Sequence, residues 1–254
     1  ETIFDYAEKK DITIFSSPFD TTAVDFLENL NAPAYKIASF EAVDIPLIKY
    51  TASTKKPMII STGMTATNEI EEAVDAALSG GCKDLILLHC VSSYPALSID
   101  YILNTIQDMR SRYGLMVGLS DHTVDNTTAI ASVALGATVI EKHITLNRNG
   151  GGPDDSFSLE PSDLKELCHK SLTAWESLGT ANYQRSQTEI ENKKFRRSIY
   201  FMHDKKAGQI IEENDVRIIR PGYGIEPKYL EEIIGKKIRQ DVDKYSPVSW
   251  ESIE

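Results

Sequence analysis

The sequence predicts a parallel α/β barrel followed by a small β-rich module. Short, nearly continuous apolar runs alternate with amphipathic stretches of helical length about six times before residue 180, at roughly 20–30-residue spacing. Polar or unusual residues stand just where each apolar run stops, and after about residue 180 the texture changes. In an open α/β sheet, ligands gather at a topological switch point, so only two or three strand ends are loaded. Loading at every strand end favours a closed barrel, whose carboxyl-terminal face is one shared site.

The predicted strands are Ile12-Thr13-Ile14-Phe15, Ala34-Tyr35-Lys36-Ile37, Met58-Ile59-Ile60, Leu85-Ile86-Leu87-Leu88, Leu115-Met116-Val117-Gly118 and Thr138-Val139-Ile140. Each has the length and unbroken hydrophobicity of a strand buried on both faces. Between them, a helix is predicted over 21–31 behind the N-cap residue Asp20, with Val24, Phe26, Leu27 and Leu30 at helical spacing. A second over 68–79 ends on Gly80-Gly81. Two more are predicted over 125–135 and 161–178, the last with Pro161 in its first turn. Residues 181–195 read as a polar linker. Beyond it, 198–202, 216–219 and 247–250 read as strands and 227–235 as a short helix. The expected organisation is a barrel domain over 1–180, the linker, and a module over 196–254.

Composition narrows the function classes. The 254 residues carry 38 acidic and 27 basic side chains, a net charge of −11. That balance argues against non-specific nucleic-acid binding, which needs a Lys/Arg surplus to displace counterions. No apolar run approaches the roughly 18–20 residues of a membrane span. Cys82, Cys90 and Cys168 match no zinc knuckle and read as reduced thiols of a cytoplasmic protein. The chain begins Glu1-Thr2-Ile3, with neither an initiator Met nor a signal-peptide pattern.

Three groups of residues carry candidate chemistry. His122 and His143 end consecutive predicted strands, close enough to share a divalent ion such as Mn²⁺, Zn²⁺ or Fe²⁺; acid–base and structural roles remain open. Lys36 interrupts an apolar strand, where a lone ammonium is costly, so it points towards an anionic ligand or a carboxylate such as Glu41. Ser39, Ser61, Thr62, Ser92 and Ser120 cluster at strand ends and offer donors to a small anion. Gly150-Gly151-Gly152-Pro153-Asp154-Asp155 either closes the barrel or lets the backbone approach a ligand while Asp154 accepts from its hydroxyls; it is no Walker loop. Arg220, before Pro221-Gly222, either is solvated or reaches an anion. His89 reads as a hydrogen-bonded core residue, and His169 and His203 as surface residues.

At these residues the sequence resembles the sialic acid synthase family, the N-acetylneuraminate, legionaminate and pseudaminate synthases. The resemblance spans nearly the whole chain. It rests on Ser17-Pro18-Phe19-Asp20, Tyr35-Lys36-Ile37-Ala38-Ser39, Ser61-Thr62-Gly63-Met64, His89-Cys90 through Tyr94-Pro95, Leu119-Ser120-Asp121-His122-Thr123, Glu141-Lys142-His143, Gly152-Pro153-Asp154, Ser158-Leu159-Glu160-Pro161 and Arg220-Pro221-Gly222. It implies a (β/α)8 TIM barrel followed by a β-rich antifreeze-like (SAF) domain. It also implies condensation of phosphoenolpyruvate with an amino-sugar aldehyde, dependent on Mn²⁺, with Mg²⁺ or Co²⁺ as alternatives.

The resemblance gives His122 and His143 as metal ligands, and Lys36, Ser39, Ser61 and Ser120 as the phosphoenolpyruvate-binding set. Tyr94 and Asp154 match positions facing the sugar. Arg220 matches an arginine that reaches the partner subunit's site, implying a domain-swapped homodimer. Ser92 stands where sialate enzymes usually have another polar residue. Ser39-Phe40-Glu41, Ser92-Ser93-Tyr94-Pro95, Asp154-Asp155-Ser156-Phe157-Ser158 and Arg220-Pro221-Gly222-Tyr223-Gly224 are closer to pseudaminic acid synthases, whose substrate is 2,4-diacetamido-2,4,6-trideoxy-altrose. An apolar Phe157 beside a deoxy position leaves no hydroxyl unpaired. The first two barrel strands of the family have no counterpart here, so a truncated start and weak turnover are expected. A sialate or legionaminate synthase is the alternative within the family; a non-catalytic anion- and sugar-binding remnant is the alternative of another class.

Overall fold

A computed structural model describes residues 2–254, so the start of the chain at Glu1 lies outside the described residues. The chain divides into two compact units, Glu1–Gly179 and Thr180–Glu254.

The first unit is built on a five-stranded parallel sheet of sequential order: β1 (Tyr35–Ile37), β2 (Met58–Ser61), β3 (Leu85–Cys90), β4 (Met116–Asp121) and β5 (Ile140–Lys142). Helices α1 (Thr2–Lys9) and α2 (Thr21–Asn29) precede β1; α3 (Ile45–Ser53), α4 (Thr67–Gly80), α5 (Thr105–Tyr113) and α6 (Thr127–Ala134) connect successive strands, as parallel strands require; and α7 (Pro161–Leu178) follows β5. The sheet curls. Four strand spacings of about 4.8 Å would hold flat β1 and β5 roughly 19 Å apart, yet Lys36 Nζ of β1 lies 3.6 Å from Glu141 Oε2 of β5. Only curvature brings both side chains into one lumen.

Strand alternation sorts residues between lumen and helix layer. Tyr35 turns outward and donates to Glu28 Oε1 of α2 at 2.5 Å, so Lys36 turns inward. Between sheet and helices lies a core that includes Ile37, Ile48, Met58, Ile60, Leu87, Ile106, Val117 and Leu119. Helix starts follow local chemistry: Asp20 caps α2 by accepting from Ala23 N–H at 2.8 Å, and Asp44 caps α3 by accepting from Leu47 N–H at 3.0 Å. Gly81, at φ 115°, lets α4 end in the left-handed region.

Several expected elements are corrected. Residues 12–15 form no strand; the contact is one isolated bridge, Ser16 to Tyr35. Among the described residues no strand flanks that segment on its other side, and Ile12 and Phe15 are exposed. The sequence reading did not single out α1, α3 or α5. In α5 only Ile106 and Met109 are buried, too few for a clear apolar stripe.

The second unit holds an antiparallel pair, β6 (Ser198–Phe201) and β7 (Val216–Ile219), over a core of Ile199, Phe201, Ile211, Ile225, Ile233, Ile238, Val248 and Ile253. The elements differ in detail from those expected. The polar stretch after 180 is not all irregular: Ser186 caps a short helix, α8 (Gln187–Glu191). The strand expected over 247–250 is reduced to one bridge, Pro247 to Tyr200, because proline has no N–H to extend a ladder. The helix expected over 227–235 is a 3₁₀ turn, Pro227–Tyr229, followed by α9 (Leu230–Ile233). Among the described residues no helix is long and apolar enough to cross a membrane. All three cysteines are free, Cys82 and Cys90 buried and Cys168 exposed.

Candidate active site

The carboxyl ends of β1 to β5 gather an anion-ready cluster. Lys36 is buried, and its ammonium donates to the Ile37 carbonyl at 3.1 Å besides pairing with Glu141. Burial pushes the lysine below its usual range, and the Glu141 carboxylate opposes that shift. Glu141 also accepts from Ser120 Oγ at 2.7 Å. The partner of Lys36 is therefore Glu141 and not Glu41. The strand-to-helix turn Ser39–Glu41 leaves Glu41 Oε2 buried without any hydrogen-bond partner.

Around Gly63 the hydroxyls converge. A Cβ there would lie 2.2 Å from Ser92 Oγ, 2.8 Å from Ser39 Oγ and 3.2 Å from Cys90 Sγ. Ser39 Oγ accepts the Gly63 N–H at 3.1 Å. Ser61 Oγ and Ser92 Oγ are buried with no partner. Buried hydroxyls are rarely left so, and two unpaired donors in the cluster that holds a desolvated ammonium suit a small anion.

Beside this cluster stand the two histidines, ring centroids 5.3 Å apart. His122 Nδ1 lies 2.8 Å from the Val91 carbonyl. A carbonyl only accepts, so Nδ1 carries a proton and Nε2 is the nitrogen left for a ligand. His143 Nδ1 lies at ion-pair distance, 3.4 Å, from Asp154 Oδ2. Burial and the neighbouring His122 hold the His143 pKa below the usual histidine value, so the ring is neutral at pH 7. Tyr94 packs against His122 at 4.3 Å between centroids, and Phe157 against His143 at 5.1 Å and Tyr94 at 5.7 Å.

The first unit thus brings together Lys36, Ser39, Ser61, Ser92, Tyr94, Ser120, His122, His143 and Asp154. Arg220 is an exposed residue of the second unit, just after β7. His89 is half-buried and hydrogen-bonded, with Nε2 donating to the Tyr101 carbonyl, but it is not part of the core cluster. Two contributors were not singled out from the sequence. Glu141 is in register with Ser120 and two residues before His143, so strand alternation was a readable signal. Tyr101 carried none: it lies in a 3₁₀ turn, and its buried hydroxyl accepts the His122 N–H at 2.7 Å and donates to the Ser120 carbonyl at 3.2 Å.

A family model described as the NeuB family matches residues 1–183, and an SAF domain model matches residues 196–254. The chain belongs to the NeuB family. It is 36% identical over 253 residues to the pseudaminic acid synthase of Helicobacter pylori, covering 99% of this chain and 74% of that protein. It is 39% identical over 234 residues to an N,N'-diacetyllegionaminic acid synthase of Campylobacter jejuni, covering 91% and 70%. Among solved structures, the N-acetylneuraminic acid synthetase of Leptospira borgpetersenii superposes with a TM-score of 0.71 at 34% identity, covering 75% of this chain and 67% of that one. The curled parallel sheet of this NeuB-family chain is thus part of a TIM-barrel architecture, with an SAF domain at its C-terminal end.

The donor set fits a divalent metal. The His122 and His143 imidazoles, the former with Nδ1 engaged by the Val91 carbonyl, suit a site that leaves further positions for water or substrate oxygens. The Asp154 carboxylate behind His143 is the usual outer partner of a metal-bound histidine. Among the described residues no third His, Cys, Asp or Glu completes a closed cage, so the fit is to an open, two-histidine centre.

Proposed function

We propose that this chain is a phosphoenolpyruvate-condensing nonulosonic acid synthase acting on the pseudaminic acid precursor, 2,4-diacetamido-2,4,6-trideoxy-altrose. The observation that carries the reading is a buried ammonium with unpaired hydroxyls standing beside a two-histidine pair at one end of one sheet. Lys36 and the Ser39, Ser61, Ser92 and Ser120 hydroxyls hold the phosphate and carboxylate of phosphoenolpyruvate. Glu141 pairs with Lys36 and so holds the ammonium in place before the anion arrives, while Ser120 exchanges its hydrogen bond to Glu141 for one to the anion. His122 and His143 would hold the divalent ion, which when bound supplies Lewis-acid polarisation of the sugar aldehyde. Tyr94 and Asp154 orient the sugar. Phe157, buried against His143 and Tyr94, supports the deoxy-sugar assignment, because an apolar wall leaves a hydroxyl unpaired and a methyl content. In the reaction the phosphoenolpyruvate C3 bonds to the aldehyde carbon, water adds at C2, and phosphate leaves.

The 39% identity to a legionaminic acid synthase favours a second reading with the same chemistry and a different sugar. A phosphate-release assay with phosphoenolpyruvate, Mn²⁺ and three aldehydes separates them. The altrose derivative should be the preferred substrate, and Lys36→Met should abolish release. Preference for N-acetylmannosamine or the legionaminate precursor would overturn the assignment. Anion binding without release for any aldehyde would favour a non-catalytic remnant. For Arg220 and the SAF domain we propose the role that the resemblance implies, completion of a partner subunit's site in a domain-swapped homodimer.

A further inference from the structure

The ladder between β4 and β5 ends on the pair Asp121 and Lys142. His122 and His143 each follow one residue later, beyond the last rung of that ladder, where the backbone is held by other bonds: the His122 carbonyl accepts the Ala96 N–H at 3.0 Å and the His143 carbonyl accepts the Leu159 N–H at 2.9 Å. Alternation puts Ser120, His122, Glu141 and His143 on the lumen face and turns Asp121 and Lys142 to the other side, directly behind the histidines. There the two side chains meet at 2.9 Å, with side-chain exposures of 4% for Lys142 and 0% for Asp121.

All three ammonium hydrogens of this pair are used, and both carboxylate oxygens accept. The Lys142 ammonium donates to Asp121 Oδ2 at 2.9 Å, the Thr123 carbonyl at 2.6 Å and the Asp125 carbonyl at 3.1 Å. The Asp121 carboxylate accepts from Thr123 N–H at 2.9 Å and Thr123 Oγ1 at 3.1 Å. The bonds tie both strand ends to the loop that leaves β4. A buried ion pair adds little stability over well-packed apolar residues. Its value lies in geometry, since the ammonium specifies three acceptors on the segment either side of His122.

We propose that Asp121 and Lys142 are positioning residues that set the His122–His143 spacing for a divalent cation, an inference that rests on the two-histidine metal reading above. The test is Mn²⁺ binding followed by electron paramagnetic resonance, with thermal melting, for the parent and for Asp121→Asn/Lys142→Met. The double variant removes both charges together, so neither is left buried alone, and the melting temperature falls only modestly, by the loss of the ammonium's bonds to the Thr123 and Asp125 carbonyls. Mn²⁺ affinity should nevertheless fall about 10–100-fold, the range for losing an outer-shell support. Thr123→Val removes one hydroxyl from the network and should show a smaller loss, which keeps the test decisive if the double variant does not fold. Parent-like Mn²⁺ affinity in the folded double variant, or in Thr123→Val should that alone fold, would overturn the positioning role. A parent protein that takes up no Mn²⁺ would instead sink the metal reading beneath it.

Discussion

Gly63 illustrates how closely single residues define the candidate site. Its φ is unexceptional, so the glycine is required by space: a methyl group would fall on Ser92 Oγ and Ser39 Oγ. Both hydroxyls can rotate away, at the loss of the Ser39–Gly63 hydrogen bond. Gly63→Ala should therefore keep the fold, costing about 1 kcal/mol for one bond, while raising the phosphoenolpyruvate KM tenfold or more; denaturant melts and steady-state kinetics check both. The histidines give a pH prediction. Burial lowers the pKa of His89 and, with help from His122, that of His143. The unfolded chain then binds more protons than the native one just below the ordinary histidine value, about 6.5. Stability is fully present above that value and falls as pH drops through the lowered native values. Melting temperatures recorded from pH 7.5 down to 5 should decline, and less steeply in His89→Gln.

Among the elements, β4 bears the tightest constraint. Gly118 faces the lumen side of that strand, and a Cβ there would lie 2.3 Å from the Val139 carbonyl and 2.7 Å from Leu88. The carbonyl is backbone and already accepts the Leu119 N–H at 2.9 Å, so β5 would have to move. Gly118→Ala should destabilise the chain by about 1–3 kcal/mol, as overpacking does, and weaken Mn²⁺ binding because the strands carrying both histidines would part. Chemical denaturation and a metal titration test the two effects. How far an element was legible depended on its burial. Strands β1 to β4 are mostly buried, and their continuous apolar runs show it. Residues 12–15 have the same texture without the partner strand, and texture alone does not report pairing.

At the scale of the molecule the charge is unevenly divided. The first unit carries 25 acidic and 13 basic side chains, a net −12, and the second 13 acidic and 14 basic, a net +1. The second unit is nearly neutral, so bringing two chains together opposes chiefly the like charge of the two first units, a repulsion that salt screens. Light scattering coupled to size exclusion should find the proposed dimer, with a dissociation constant that falls as added salt screens the repulsion between two acidic chains. A chain that is monomeric at every concentration and ionic strength would count against the swapped arrangement, leaving the lumen chemistry of the first unit to be judged on its own assay.

Much of this protein was determined by sequence alone. The alternation of buried strands and amphipathic helices, the change of texture near residue 180 and the polar residues closing each apolar run are local patterns, written in one-dimensional periodicity. They sufficed to nominate Lys36, the strand-end serines, Asp154 and both histidines, while Tyr94 came from the family resemblance. Partnership was another matter. Only the curl of the sheet decided that Lys36 meets Glu141 from the opposite edge and not the nearby Glu41. Only the packing of a 3₁₀ turn on β4 placed the Tyr101 hydroxyl against His122, and only the ladder register put Lys142 on Asp121. Strand period fixes which face a side chain takes, but what stands opposite it depends on curvature and register, which arise from contacts far apart in the chain.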